Sequence, residues 1–291
     1  MKSVEGKRVL ITGAAMGMGK LYAELAARGG AAAIVLWDIN QEALAAAEAD
    51  LRAISPNVHS YVVDLSEPHE IEEAAARVRE EVGDIEILIN NAGIIVGRNF
   101  WDHTWDQIGK TMAINALAPQ YVAHALLPGM IRSSGPCRIV NIASAAGLVS
   151  VPRMSVYCAS KWAVIGWSDT LRLELVRAGH AHVKVTTVCP TYVATGMFQG
   201  AKPPRLTSLL IPERVVERVW RKMKAGAPYV KMPATVYLST ALKGLLPTRW
   251  FDFVTDRVFG VYSSMDTHTG RSSKESSVRP PVPPQPIGSR K

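Results

Sequence analysis

The first 190 residues alternate short apolar runs with longer amphipathic ones, and this alternation limits the possible fold more than any other feature. Runs at 8–12, 33–37, 58–63, 85–89, 138–142 and 183–188 are apolar and of strand length. Between them, segments at about 17–29, 41–53, 67–82, 103–132 and 155–178 carry the apolar spacing of helices. Near-continuous apolar strands have both faces covered, and strands separated by helices pair in parallel. Right-handed crossovers then produce a single Rossmann-type α/β fold, a doubly wound parallel sheet with helices on both faces. After Pro190 the pattern changes. An irregular stretch at 191–211 precedes a helix from Pro212 to about Lys224, a last strand at 229–232, and two short helices at 235–246 and 248–260.

Composition narrows the function classes. Of 291 residues, 48% are hydrophobic and 20% charged, a globular balance that can bury a large core. Cys137, Cys158 and Cys189 contain no C-x-x-C pair, which argues against a disulfide framework or a zinc site. No metal is expected, because the histidines show no paired ligand spacing. No apolar run is long enough to span a membrane, and residues 1–8 are polar, so neither a membrane span nor a signal peptide is expected. The net charge of +8 is uneven. Residues 1–200 hold 17 basic and 19 acidic side chains, residues 201–270 hold 11 and 5, and residues 271–291 hold 5 and 1. No nucleic-acid motif accompanies this charge, and no nucleic-acid partner is expected.

Three motifs carry chemistry. The turn Thr12-Gly13-Ala14-Ala15-Met16-Gly17-Met18-Gly19 follows the first strand and opens the first helix. Its glycines permit a tight turn and let backbone amides approach a pyrophosphate at a helix N-terminus. Asp38 ends the second strand. A carboxylate there accepts hydrogen bonds from both hydroxyls of a ribose and repels a 2′-phosphate, which favours NAD over NADP. Tyr157 and Lys161 stand four apart on one helix face, 13 residues after Ser144. A phenol with pKa near 10 is a poor base at neutral pH, and lowering it by about three units takes roughly 4 kcal/mol. A neighbouring ammonium and an oxidised nicotinamide are both cationic and could supply it.

In combination these motifs resemble the short-chain dehydrogenase/reductase family over about residues 5–200. Asp64, the run Asn90-Asn91-Ala92-Gly93 and Asn115 complete the resemblance. It implies a catalytic set of Asn115, Ser144, Tyr157 and Lys161. Tyr157 would be the acid/base, Lys161 would hold the nicotinamide ribose, Ser144 would orient the substrate, and Asn115 would anchor a relay water. It also implies cofactor contacts at Gly13, Met16, Gly17, Met18, Gly19, Asp38, Ile39, Asp64, Leu65, Asn91, Ala92, Gly93, Tyr157, Lys161, Pro190, Val193 and Thr195. The usual Pro-Gly of the family is Pro190-Thr191 here, so a Cβ narrows the space beside the nicotinamide. The segments 157–161, 189–198 and 212–216, with Leu245-Leu246-Pro247, are similar to the retinol and 17β-hydroxysteroid dehydrogenase branch.

The expectation is therefore one oxidoreductase domain over 1–270, with 191–270 as substrate lid and C-terminal helices, and a disordered basic Pro/Ser-rich tail over 271–291. Its substrate would be a lipophilic alcohol or the matching ketone or aldehyde, held by Ala145, Leu148, Val149, Met154, Tyr192 and Phe198. Trp162 and Trp167 suggest a homodimer or homotetramer contact, and Phe100, Trp101 and Trp105 read as helix-packing and pocket-wall residues. The mixture of aromatics with Lys243, Arg249 and Arg257 fits a lid, a core contact or peripheral attachment of a cytoplasmic protein to an anionic membrane. A non-catalytic NAD-binding sensor or scaffold and a nucleotide-sugar epimerase are the competing readings.

Overall fold

The computed structural model describes residues 1–205 and 207–270, so the expected tail at 271–291 lies outside the described residues. Seven parallel strands form one sheet in the order β3-β2-β1-β4-β5-β6-β7. They are β1 (Arg8–Thr12), β2 (Ala33–Asp38), β3 (Val58–Val62), β4 (Ile87–Asn90), β5 (Cys137–Ile142), β6 (Val183–Pro190) and β7 (Tyr229–Met232). The central strands are buried on both faces, which is why alternate residues show no polar outer side. Strand order runs outward from β1 to β3 and then returns to β4 on the other side. That reversal opens a crevice beyond the carboxyl ends of β1 and β4, the usual ligand position in such sheets.

Helices α1 (Gly17–Arg28), α2 (Gln41–Arg52) and α3 (Pro68–Glu81) follow the first three strands. Next come α4 (Trp105–Met112), α5 (Ala118–Arg132) and α6 (Ser155–Arg177), then α7 (Pro212–Ala225), α8 (Thr235–Leu245) and α9 (Thr248–Phe253). One face of the sheet packs against α1 and α7, where Tyr22 and Trp220 stack with ring centres 6.5 Å apart. The other face packs against α3, α5 and α6. The α7 side chains Val215, Val216, Val219, Trp220 and Met223 form one buried stripe, and Gly226 closes the helix at φ +71°.

Three expected boundaries differ. The fourth strand starts at Ile87 rather than 85, because Glu86 turns its carboxylate onto the Lys7 ammonium (2.8 Å) and the Arg8 amide (3.0 Å). The helix expected over 103–132 is interrupted by a π-turn at Ala113–Leu117. Pro119 has no N–H to give the carbonyl of residue 115, four positions earlier, so regular α-helix cannot continue through this point. The last expected helix, 248–260, is α9 followed by a second π-turn at Val254–Val258. Phe100, Trp101 and Trp105 are also not packed as expected. They are 60%, 80% and 93% exposed, on a 3₁₀ turn and the first turn of α4, a helix that buries only Thr111.

Candidate active site

The crevice at the switch between β1 and β4 is built by a staple of hydrogen bonds. Thr12 Oγ1 accepts from the Asn91 and Ala92 amides at 3.0 and 3.1 Å. Asn91 Nδ2 donates back to the carbonyls of Thr12 (3.0 Å) and Gly13 (3.1 Å). Thr12 was read only as part of the glycine turn; its fourfold role at the strand junction has no sequence signal of its own. Gly13 and Gly17 adopt φ +63° and +56°, which an L side chain resists. A Cβ on Gly19 would stand 1.9 Å from the Gly13 carbonyl, so only glycine lets α1 start this close to the turn. Met16 precedes α1 in an extended conformation, without a side-chain cap, and the first turn of α1 holds no acidic residue. Backbone donors at this helix start are thus available to an anion.

Around this turn lie the other expected contacts. Asp38 Oδ2 accepts from the Ala15 amide and Oδ1 from the Asn40 amide, both at 3.0 Å, which fixes the carboxylate at the rim. Ile39 beside it is 45% exposed. Asp64 Oδ1 accepts from the Ser66 amide (2.9 Å) and hydroxyl (2.7 Å), and Leu65 packs onto the core beneath α3. Pro190 ends β6; Val193 is buried, and the Thr195 side chain would lie 3.7 Å from a Cβ on Gly17. A Cβ on Gly93 would meet Asn115 Oδ1 at 3.2 Å and Lys161 Nζ at 3.5 Å. The glycine turn, Asp38, Asp64, residues 91–93 and residues 190–195 therefore rim one cleft, and these residues fit a dinucleotide.

At the inner end of the cleft, Ser144, Tyr157 and Lys161 are all buried. Ser144 follows β5, and its Oγ accepts from the Ala146 amide at 3.1 Å. Lys161 Nζ donates to the Ile142 carbonyl at 2.9 Å and lies 5.7 Å from the Tyr157 ring centre. Burial pushes the Lys161 ammonium down to about 8. Burial also holds the Tyr157 phenol above its ordinary value, and a hydrogen bond from Ser144 only partly offsets this. The lowered Tyr157 pKa expected for the base is thus not a property of the protein alone. The Asn115 side chain is fully occupied: Oδ1 accepts from the Ile94 amide (2.8 Å), and Nδ2 donates to the Ile94 carbonyl (2.9 Å) and Ser160 Oγ (3.2 Å).

Beside Ser144 opens a cavity of about 830 Å³, part of it continuous with solvent. Of the six expected pocket residues, Ala145, Val149 and Tyr192 line it. Leu148 packs instead against Val164, Ile165 and Cys189, while Met154 and Phe198 pack around Tyr157, with Phe198 edge-on to its ring at 6.3 Å. Thr191 also lines the cavity, and so do Val236, Leu242, Phe251, Val254 and Phe259 from α8, α9 and the π-turn after them. Those apolar residues were legible only as an amphipathic pattern. Lys243 holds this cover in place, donating to the Leu148 carbonyl at 2.9 Å and lying 3.9 Å from the Trp162 ring centre.

A parallel sheet with a glycine turn at its switch point and a buried Ser-Tyr-Lys cluster defines a nicotinamide-dependent dehydrogenase fold. The chain belongs to the short chain dehydrogenase family, whose profile matches residues 7–205. It is 39% identical over 276 residues to epidermal retinol dehydrogenase 2 of Mus musculus, covering 94% of this chain and 88% of that protein. It is 38% identical over 253 residues to estradiol 17-beta-dehydrogenase 11 of Pongo abelii, covering 86% and 82%. Among solved structures, a short chain dehydrogenase/reductase from Burkholderia phymatum in complex with NAD superposes with a TM-score of 0.76. It is 28% identical, over 84% of this chain and 96% of that one. A short-chain dehydrogenase from Sphingobium yanoikuyae in complex with NADPH gives 0.71 at 30% identity, over 82% and 94%. The family and its retinol and hydroxysteroid dehydrogenase branch agree with the resemblance seen in the motifs.

Proposed function

We propose that this chain is an NAD-dependent oxidoreductase that interconverts a lipophilic alcohol and its ketone or aldehyde. The observation that carries the reading is the burial of Ser144, Tyr157 and Lys161 together at the junction of the dinucleotide cleft and an apolar cavity. Bound nicotinamide supplies the hydride acceptor or donor and, when oxidised, a positive charge that favours the Tyr157 phenolate. The glycine turn at Gly13, Gly17 and Gly19 receives the pyrophosphate, with Met16 and Met18 beside it. Asp38 faces the adenosine ribose, where no cation stands at 14–16 or 39–40 to take a 2′-phosphate. Lys161 binds the nicotinamide ribose, and Ser144 holds the substrate oxygen. Tyr157 Oη takes the hydroxyl proton in oxidation and returns it in reduction. The proton leaves past Lys161 toward the turn at Asn115. With the Asn115 side chain committed to Ile94 and Ser160, a relay water there would be held by the main chain that Pro119 leaves without its α-helical donor.

The lipophilic substrate class rests on the cavity lining, which contains no charged side chain among the described residues, and on the printed activities of the retinol and estradiol relatives. The test is a cofactor-by-substrate panel: NAD and NADP with a steroid, a retinoid, a fatty alcohol and a small secondary alcohol. Preference for NADP would remove the Asp38 argument. Binding of NADH without turnover of any alcohol or ketone would favour the non-catalytic sensor.

Residues 191–270 act as substrate lid in this proposal, and the outer face of the cover suits an anionic membrane surface. Leu245, Trp250 and Phe253 are 79%, 66% and 57% exposed, with Arg249 and Arg257 exposed among them. No helix among the described residues is long and apolar enough to cross a membrane. Binding to anionic liposomes that falls as salt rises, and persists after truncation at Gly270, is the expected outcome for docking through the cover. Exposed Trp162, Leu173 and Val176 on α6 leave a face for a homodimer or homotetramer contact.

A further inference from the structure

The hydroxyl groups around the cavity are not equivalent. Ser144 is tied to the Ala146 amide and to Tyr157. Tyr192 shares a 2.7 Å hydrogen bond with Ser264. Thr207 Oγ1 donates to the Pro204 carbonyl at 2.7 Å, and Ser239 Oγ to the Val236 carbonyl at 3.1 Å. Thr235 is half-buried at the start of α8, where water can reach it. Thr255 differs from all of these. It is 4% exposed, it lines the cavity, and its hydroxyl makes no hydrogen bond in the protein. It does not donate to the carbonyl of the preceding turn, as Thr111, Thr170 and Thr240 do in their helices.

A buried hydroxyl without a partner is unfavourable, and such groups in folded proteins call for an explanation. Thr255 stands in the cover, on the π-turn after α9, whereas Ser144 and Thr191 belong to the loops at the ends of the sheet strands. π-turns of this kind are frequent at functional sites. The remaining lining is apolar, with Val149, Val151, Val236, Phe251 and Val261 around it. A carboxylate or phosphate on the substrate would find no cation on this lining.

We propose that the cavity takes a lipophilic substrate bearing two oxygen functions: the reacting one at Ser144 and Tyr157, and a second, neutral hydroxyl or ketone that hydrogen-bonds to Thr255. This rests on the alcohol oxidoreductase reading and sharpens its substrate class, favouring rigid polycyclic alcohols oxygenated at both ends over fatty alcohols with a bare hydrocarbon tail. Thr255 Oγ1 can donate to a ketone or accept from a hydroxyl, so one side chain serves either oxidation state of the distal group.

The experiment compares a 3-hydroxy-17-ketosteroid with its 3-deoxy analogue, which leaves a single reducible ketone in each. Reduction rates with NADH and the rise in Tm on ligand binding are measured for the native protein, Thr255→Val and Thr255→Ser. The native protein is expected to prefer the hydroxyketone by about tenfold in kcat/KM, the size of one satisfied hydrogen bond in a buried site. Thr255→Val should reduce that ratio to about one, mostly through KM, and Thr255→Ser should restore it. An equal response to the two steroids in the native protein, including no response to either, overturns the inference. So does a ratio that survives Thr255→Val. Selective stabilisation of the native protein by the hydroxysteroid, lost in Thr255→Val but without turnover, would uphold the Thr255 site while removing the oxidoreductase reading. Turnover without selectivity would do the reverse.

Discussion

The cofactor cleft and the substrate cavity are built by different means. The cleft is made from turns at the ends of strands, where a glycine, an Asp or an Asn has one position at which it satisfies the backbone around it. Gly19 leaves no room for a Cβ, and Asn91 closes β4 onto β1 through Thr12 and Gly13. The cavity is made from side-chain packing between residues up to about a hundred positions apart, with Val149 on one side and Phe251 and Val254 on the other. The first kind of site tolerates few residue types. The second tolerates most apolar ones of suitable volume. Changes in the cleft and its catalytic end should therefore alter chemistry or cofactor choice, while changes in the cover should alter only which substrate is held.

The largest expected effect is at the junction. Tyr157→Phe should lower kcat by about a thousandfold, the usual scale for loss of a general acid/base, with NADH binding retained in fluorescence titration. A variant that keeps full turnover would remove Tyr157 from the chemistry.

Lys161→Met carries the next effect. The Lys161 pKa is depressed to about 8 by burial from an ordinary 10.5, so between these pH values the unfolded chain holds a proton that the folded chain lacks. Folded-state stability contributed by this group therefore rises with pH across that window, by an amount on the order of 3 kcal/mol. Denaturant titrations of the two proteins should show the native protein gaining on Lys161→Met between about pH 8 and 10.5. A constant difference would place Lys161 in a more polar setting than its burial indicates.

Asp38→Ala comes third. Loss of the carboxylate should reduce the NAD over NADP preference by about tenfold or more, through loss of ribose hydrogen bonds and of repulsion toward the 2′-phosphate. Leu242→Ala in the cover should raise KM for a lipophilic alcohol about fivefold, in line with the apolar area removed, and leave KM for NAD in place. A shift in cofactor affinity with Leu242→Ala would break the division between the two regions.

The same division explains what could be read from the sequence. The doubly wound sheet followed from apolar runs of strand length separated by helical ones. The glycine turn, Asp38, Ser144, Tyr157 and Lys161 were legible because each needs a particular residue type at a strand end or one helical turn away. The π-turn at Ala113–Leu117 was missed although Pro119 marks it, because the apolar spacing runs through it without a break. The cavity walls were missed in part for a different reason. Leu148, Met154 and Phe198 are near the catalytic residues in sequence, but their side chains fill gaps around α6 and Tyr157. The residues that replace them come from the cover, whose amphipathic pattern shows that a face is buried without showing what it faces. Phe100, Trp101 and Trp105 show the converse, since aromatic character alone does not place a side chain in a core.

The most direct measurement is NADH formation at 340 nm by the native protein and by Tyr157→Phe, with NAD or NADP and the same lipophilic secondary alcohol. The account predicts NADH formation by the native protein that exceeds NADPH formation and is almost absent in Tyr157→Phe. NADPH formation that exceeds NADH, or equal rates for the two proteins, would contradict it.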